Sequence, residues 1–189
     1  MTLRPEQQQA LEYFEQKGRR LPAAQIRERV GAALAALEEA LAGVGAAEAR
    51  RRPLAGEWTI HEVVDHLVET HRPSLGELRD LLAGRRPAGP PVPASLQSAD
   101  PMARSWPALL AELRSLHAEA LAALAGASDA LATAARAPLV MVINAREPDG
   151  RLVPISWIEE LDWKAYAVAA FRLHALDHLN QVKKTRGAA

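Results

Sequence analysis

Residues 59–82 read TIHEVVDHLVETHRPSLGELRDLL, and this stretch decides the fold. Ile60, Val63, Val64, Leu67 and Val68 recur at spacings of three and four, and the pattern continues through Leu75, Leu78, Leu81 and Leu82. Side chains at those spacings share one side of an α-helix. Thr59 stands where an N-cap belongs, and Glu62 three residues later completes a capping-box pattern. Pro73 lies inside the pattern. It has no amide N–H and its ring crowds the preceding turn, so a kink or a split is expected near His71.

The neighbouring segments have the same character. Residues 5–17 carry Leu11, Tyr13 and Phe14 among polar residues and predict a short leading helix within an N-terminal extension, residues 1–22. Pro22 opens a longer helix whose apolar face is Ile26, Val30, Leu34, Leu37 and Leu41, and Gly43 and Gly45 end it. RRPLAGEWT, residues 51–59, is a connector. Residues 84–101 hold five prolines and two glycines and read as a long loop of the kind that lids or lines a binding site. A third helix is predicted over 102–125, with Leu109, Leu110, Leu113, Leu116, Leu121 and Leu124 inward, and Ser128 is placed to cap a short helix over 129–135. Residues 138–155 break the pattern: LVMVI is a β-like run, Asp149-Gly150 is a hairpin turn pair, and RLVPI follows. The last helix is predicted to start near Ser156 or Leu161 and to end at Gly187. Four main helices describe an all-α four-helix bundle with short extra helices and a small β-hairpin near 138–155, a single domain over 1–189.

Composition agrees. Hydrophobic residues make up 49 % of the chain but aromatics only 4 %, so Ala and Leu, both strong helix formers, supply the apolar mass. The 23 basic and 23 acidic residues cancel, which offers no general attraction for nucleic acid or an anionic membrane. With no cysteine there is no disulfide, thiolate ligand or protein thiol nucleophile. The N-terminal residues lack the apolar core of a signal peptide and no stretch is long enough to span a membrane, so a cytoplasmic protein is expected.

Chemistry is concentrated in the six histidines, at 61, 66, 71, 117, 174 and 178. His174 and His178, in LHALDHLNQ, are four apart and so occupy one helical face a turn from each other. Two imidazoles in that relation can share one metal ion. Helix 59–82 offers three more. At about 100° per residue, His71 falls near the centre of the apolar stripe and His61 and His66 on its flanks. Periodicity nominates His71 as the inward residue; the bland alternatives are a core histidine at 71, a solvated or helix-start residue at 61 and a surface one at 66. The residues alone do not choose a third ligand.

GEWTIHEVVDHLVETH, residues 56–71, followed about a hundred residues later by FRLHALDHLNQVKKTR, residues 171–186, resembles the DinB-like superfamily. Its branches include bacillithiol S-transferases and the metal-binding domain of mycothiol-dependent maleylpyruvate isomerases. The shared features are Trp58-Thr59 at a helix start, His66 eight residues after that Trp, and the His174/His178 pair. The likeness runs from about residue 25 to the end and is vague through 84–155. It implies an up-down four-helix bundle of the DinB-like type whose second and fourth helices present His66, His174 and His178 to one divalent ion. Some relatives carry a further polar residue one turn after the pair, where this chain has Gln181; it either orients a group at the site or is an exposed residue near a helix end. Glu62, one turn before His66, either accepts the second N–H of that imidazole or serves only the cap.

Three imidazoles leave a tetrahedral ion one open position, as in catalytic zinc sites. Zinc, nickel and iron all accept imidazoles. The expected partners are a small-molecule substrate and a low-molecular-weight thiol, which the ion would hold as thiolate for transfer to an electrophile. Metal-dependent hydrolysis, a non-catalytic metal- or ligand-binding bundle, and a structural bundle that forms a homodimer are the other readings. The tryptophans, 58, 106, 157 and 163, read as packing residues, with Trp157 and Trp163 placed to wall a pocket. Arg172 and Lys183 or Lys184 are cations that an anionic substrate could meet.

Overall fold

The computed structural model describes residues 3–131 and 134–187. Helix α1 (Pro5–Phe14) runs on into a π-helical turn (Glu15–Arg19). Then come α2 (Ala23–Ala42), the single turn α3 (Ala46–Ala49), α4 (Ile60–Leu82) and α5 (Trp106–Ala125). Strands β1 (Ala137–Arg146) and β2 (Leu152–Leu161) precede the C-terminal helix, which is α6 (Trp163–Ala167), a π-helical turn (Val168–Leu173) and α7 (His174–Gly187) in continuous succession.

The bundle expected from the sequence is present. Helix α2 packs against α5 and the C-terminal helix, and α4 packs against the same two. The order around the bundle is therefore α2, α5, α4, C-terminal helix, which leaves α2 and α4 on opposite corners. Each helix turns its predicted apolar face inward: Ile26, Val30, Leu34, Leu37 and Leu41 from α2, Val63, Val64, Leu67, Val68, Leu78 and Leu81 from α4, and Leu109, Leu113 and Leu124 from α5 are buried. Each such side chain contributes roughly 1.5–3 kcal/mol of burial. Leu110 and Leu121, also expected inward, are only partly buried and pack against the edge of this core.

Helix α4 starts as its sequence dictates. The Thr59 hydroxyl accepts from the Glu62 amide at 3.1 Å, and a Glu62 carboxylate oxygen accepts from the Thr59 amide at 2.6 Å. The expected split at Pro73 does not occur, and α4 runs unbroken through it. Thr70, His71, Ser74 and Leu75 on either side of the proline are buried, and that packing outweighs the lost backbone bond.

Three other expectations need correction. Residues 129–130 form a turn rather than the start of a helix, and 132–133 of that segment lie outside the described residues. Asp129 has a different role: its carboxylate accepts from the Ala23 amide at 2.9 Å and from Lys164 Nζ at 2.6 Å, capping α2, whose own N-cap is a proline. The hairpin is also longer than predicted. β1 and β2 pair antiparallel over ten residues each, from Ala137↔Leu161 to Arg146↔Leu152, with Gly150 supplying a φ of 86° in the turn. Consequently the last helix does not begin at Ser156, which lies in β2. It begins at Trp163, where the Asp162 carboxylate accepts from the Ala165 amide.

Gly18 draws the N-terminal helix against this junction. A Cβ at that position would stand 3.1 Å from Ala165 Cα, so a larger residue would push the two backbones apart by a few tenths of an ångström. The described part of the extension, residues 3–22, is thereby packed onto the bundle and, as described below, supplies Ala10, Tyr13 and Phe14 to a cavity wall.

Candidate metal centre

The predicted pair and its third partner meet. His66 comes from the second turn of α4, and His174 and His178 from the first two turns of α7. His174 Nε2 lies 2.9 Å from His66 Nε2 and 3.0 Å from His178 Nε2, and one ligand atom from each of the three falls within 4.8 Å of the others. A tetrahedral ion bonded at about 2.0–2.1 Å to each nitrogen spaces them about 3.3 Å apart, a few tenths of an ångström wider. His66 and His178 are buried, and His174 is partly exposed.

Two of the three rings are oriented from behind. His66 Nδ1–H donates to the Leu96 carbonyl at 2.7 Å, and His178 Nδ1–H donates to Gln181 Oε1 at 2.8 Å. With Nδ1 protonated, the Nε2 lone pairs face the common point, which is the tautomer a metal site requires. Gln181 is thus the orienting residue, one helical turn from its histidine. Glu62 takes the capping role and pairs with Arg52. Burial, reinforced by the neighbouring His178, depresses the pKa of His66 to about 4, and burial likewise lowers His174 and His178. All three imidazoles are neutral donors at pH 7.

The Leu96 carbonyl belongs to the 84–101 loop, and the loop is strapped to α4 by one carboxylate. Asp65 is fully buried. It accepts from the Ser98 amide at 2.9 Å, from Ser98 Oγ at 2.8 Å and from Arg104 at 2.5 Å. Burial works to raise its pKa, but Ser98 and Arg104 outweigh that and hold it below the usual carboxylate range. Arg104 also reaches Glu69 and Glu112, both at 2.8 Å. Gln97 donates to the Glu62 carbonyl. Sequence reasoning passed over Asp65 and Ser98. The available signal was a carboxylate directly beside His66, one turn before Glu69, which shares Arg104 with it.

The remaining histidines do not join the triad. His71, nominated by periodicity, is fully buried and packs edge-on to His174 at 5.3 Å between ring centroids, and beside Phe171 at 5.1 Å. Neither of its nitrogens makes a well-formed hydrogen bond to protein, although the Ala170 carbonyl is near enough to exert a weak upward pull on a pKa that burial drives down. His61 stands at the helix start, as one of its readings had it, but is fully buried against Trp106 rather than solvated. Neither of its nitrogens makes a well-formed hydrogen bond, and the Arg104 backbone exerts only a weak upward pull on a pKa that burial lowers. His117 Nδ1 meets Glu38 at 2.6 Å.

A cavity of about 900 Å³ opens on the triad, within the range of small-molecule sites. Its walls include all three histidines, Trp58, Val92–Ser95 of the long loop, the face of the hairpin from Leu139 to Ile143, and Ala10, Tyr13 and Phe14 of α1. The loop therefore lines the site, as its length suggested. The tryptophan at the wall is Trp58, stacked near-parallel on His178. Trp157 and Trp163, expected there, are not among the lining residues; Trp163 is in the core.

Comparison with known proteins bears on this arrangement. The profile of the DinB superfamily matches residues 29–160. Among solved structures, YfiT from Bacillus subtilis, described as a probable metal-dependent hydrolase with an unusual four-helix bundle topology, is similar at 20 % identity, with a TM-score of 0.53 and 87 % of each chain covered. At that identity the likeness is one of fold. No curated protein matches the chain significantly. The family match ends before His174 and His178, so their meeting with His66 is a finding of the geometry. No helix among the described residues is long and apolar enough to cross a membrane.

Proposed function

The chain belongs to the DinB superfamily, and from that premise we propose that it binds one divalent metal ion through His66, His174 and His178 and uses it on a small molecule held in the adjoining cavity. The observation that carries this reading is the convergence of three neutral Nε2 atoms at the wall of a cavity large enough for a substrate. A donor set of imidazoles without carboxylates suits zinc, nickel or iron rather than calcium or magnesium.

Such an ion, when bound, supplies a Lewis acid that lowers the pKa of a thiol or water at its open position. The chain's own residues do the rest. Leu96 and Gln181 hold the ligand rings, Trp58 shields two of them, and the hairpin and loop wall the cavity with apolar groups. Because the chain has no cysteine, sulfur chemistry draws on an external low-molecular-weight thiol. Its thiolate attacks an electrophilic carbon, a C–S bond forms, the bond to the leaving group breaks, and the thiol proton passes to solvent. The mainly apolar cavity favours an electrophile with an apolar body.

Hydrolysis without thiol is the second reading, supported by the description of the similar fold as a probable metal-dependent hydrolase. One assay separates them. Zinc- or nickel-loaded protein is offered monobromobimane with bacillithiol, mycothiol or glutathione, and separately an aryl ester without thiol. Thiol-dependent turnover absent from His66→Ala supports the transferase. Ester turnover alone supports the hydrolase. No turnover above His66→Ala in any arm leaves a metal-binding bundle without either reaction.

A further inference from the structure

At the α1 side of the cavity, two arginines converge on one phenol, and no carboxylate among the described residues balances their charge. Tyr13 lines the cavity. Its phenolic oxygen accepts from Arg172 Nη1 at 2.6 Å and from Arg29 Nη2 at 3.3 Å. A phenol oxygen has two lone pairs and one proton. Both lone pairs are taken by guanidinium groups, so the hydroxyl acts outward as a donor, and no acceptor for it exists among the described residues.

The two arginines are unmatched as well. Arg29 otherwise donates only to the Lys17 carbonyl, and neither Arg29 nor Arg172 meets a carboxylate among the described residues. Both are half-buried. The contrast with Arg104, which engages three carboxylates in the same molecule, is direct. Two guanidinium groups drawn together on one neutral oxygen repel each other, and partial burial makes that repulsion stronger than in bulk water. A cluster made wholly of donors, carrying two positive charges, is completed by a group that only accepts and is negative.

Tyr13 is the member of the cluster that lines the cavity, and the two guanidinium groups stand behind its hydroxyl. Arg172 lies in the π-helical turn two residues before His174, Tyr13 is carried by α1, and Gly18 lets that helix close on the start of α6. Between Tyr13 and the histidines the wall is apolar, formed by Ala169, Ala170 and Leu173.

We propose that Tyr13, Arg29 and Arg172 form an anion subsite that takes the carboxylate or phosphoryl group of a small ligand whose apolar body lies along the cavity toward the three histidines. The proposal rests on the reading of this cavity as the substrate site, and it is tested without metal so that the two can fail separately. Metal-free protein is titrated by calorimetry with 4-phenylbutyrate, with 4-phenylbutanol, and with 4-phenylbutyl phosphate. The expected result is that at least one of the two anions binds about tenfold more tightly than the alcohol, with the preference shrinking as salt is raised. The tighter of the two anions identifies the group. Arg172→Leu is expected to remove the preference while leaving the alcohol's affinity unchanged, and Tyr13→Phe to reduce it about threefold.

Equal affinity for anion and alcohol in the unsubstituted protein overturns the subsite, as does a preference that Arg172→Leu leaves intact. If Arg172→Leu loses its helical circular dichroism, Tyr13→Phe, which removes only the hydroxyl, decides in its place: an unchanged preference is the negative result. Zinc stoichiometry on the same preparations reads the metal separately. One zinc per chain with no anion preference sinks the subsite alone. Anion preference without zinc binding leaves the subsite standing and sinks the metal centre.

Discussion

His66 and His71 lie on the same helix, five residues apart and both in the interior, yet they have different surroundings. The ring of His66 is gripped at Nδ1 by a loop carbonyl and delivers Nε2 to two other imidazoles. The ring of His71 is at least as buried, touches His174, and has no well-formed partner at either nitrogen. His61 repeats the second pattern and His178 the first. Burial and position on the apolar stripe therefore do not mark a ligand. What sets His66 and His178 apart from His71 and His61 is a second nitrogen held by an acceptor while Nε2 faces the common point, because that bond selects the tautomer and fixes the ring before any ion arrives.

The largest expected effect tests that division. His174→Ala removes the nitrogen that both other rings approach and should weaken zinc binding at least about 1,000-fold, beyond the 10–100-fold typical of losing an orienting group. His71→Ala, although closer to the centre of the apolar stripe, should retain one zinc per chain by elemental analysis. Loss of stoichiometric zinc in His71→Ala, or its retention in His174→Ala, would break the distinction between the two sets.

A smaller effect tests the orienting groups themselves. Gln181→Leu keeps all three ligands and removes only the acceptor at His178 Nδ1. Zinc affinity, measured by competition with a chromophoric chelator, should fall about 10–100-fold, with the far-ultraviolet circular dichroism unchanged. An unaltered affinity would mean that the packing of Trp58 on His178, and not the hydrogen bond, sets the ring.

The contrast also explains what the sequence could and could not disclose. Helix α4 was legible from its cap to its last leucine because Thr59, Glu62 and the three-four spacing are local signals. The His174–His178 pair was legible for the same reason. The choice of His66 over His71 was not, since it depends on a carbonyl thirty residues away that Asp65 and Ser98 bring into place. Resemblance to a family supplied that choice. The π-helical turn at 168–173 further defeats counting at 3.6 residues per turn, because its wider turn shifts the face on which α7 continues from α6. Of the two starts offered for the last helix, Leu161 is within two residues of the observed Trp163 and Ser156 is not. The reason is related: strand pairing between 137 and 161 is non-local, and alternation at β2 is visible only once β1 lies beside it. The role of α1 as cavity wall had no sequence signal beyond the aromatic pair Tyr13-Phe14.

The smallest expected effect concerns folding rather than binding. A buried polar group without a partner costs about 1–3 kcal/mol relative to a satisfied one, and His71 has two ring nitrogens in that condition. Leucine has no polar atom, fits a similar volume and can keep the apolar contact with Phe171. His71→Leu should therefore leave the metal-free protein as stable as before or more stable by about 1 kcal/mol, a rise in Tm of about 2–4 °C for a chain of this size. Gln181→Leu should show no comparable gain, because there an existing hydrogen bond is lost. If His71→Leu instead lowers the Tm by several degrees, the nitrogens of His71 are bonded in solution. The inner histidines would then be held as firmly as the triad, and convergence on a common point alone would separate ligand from core.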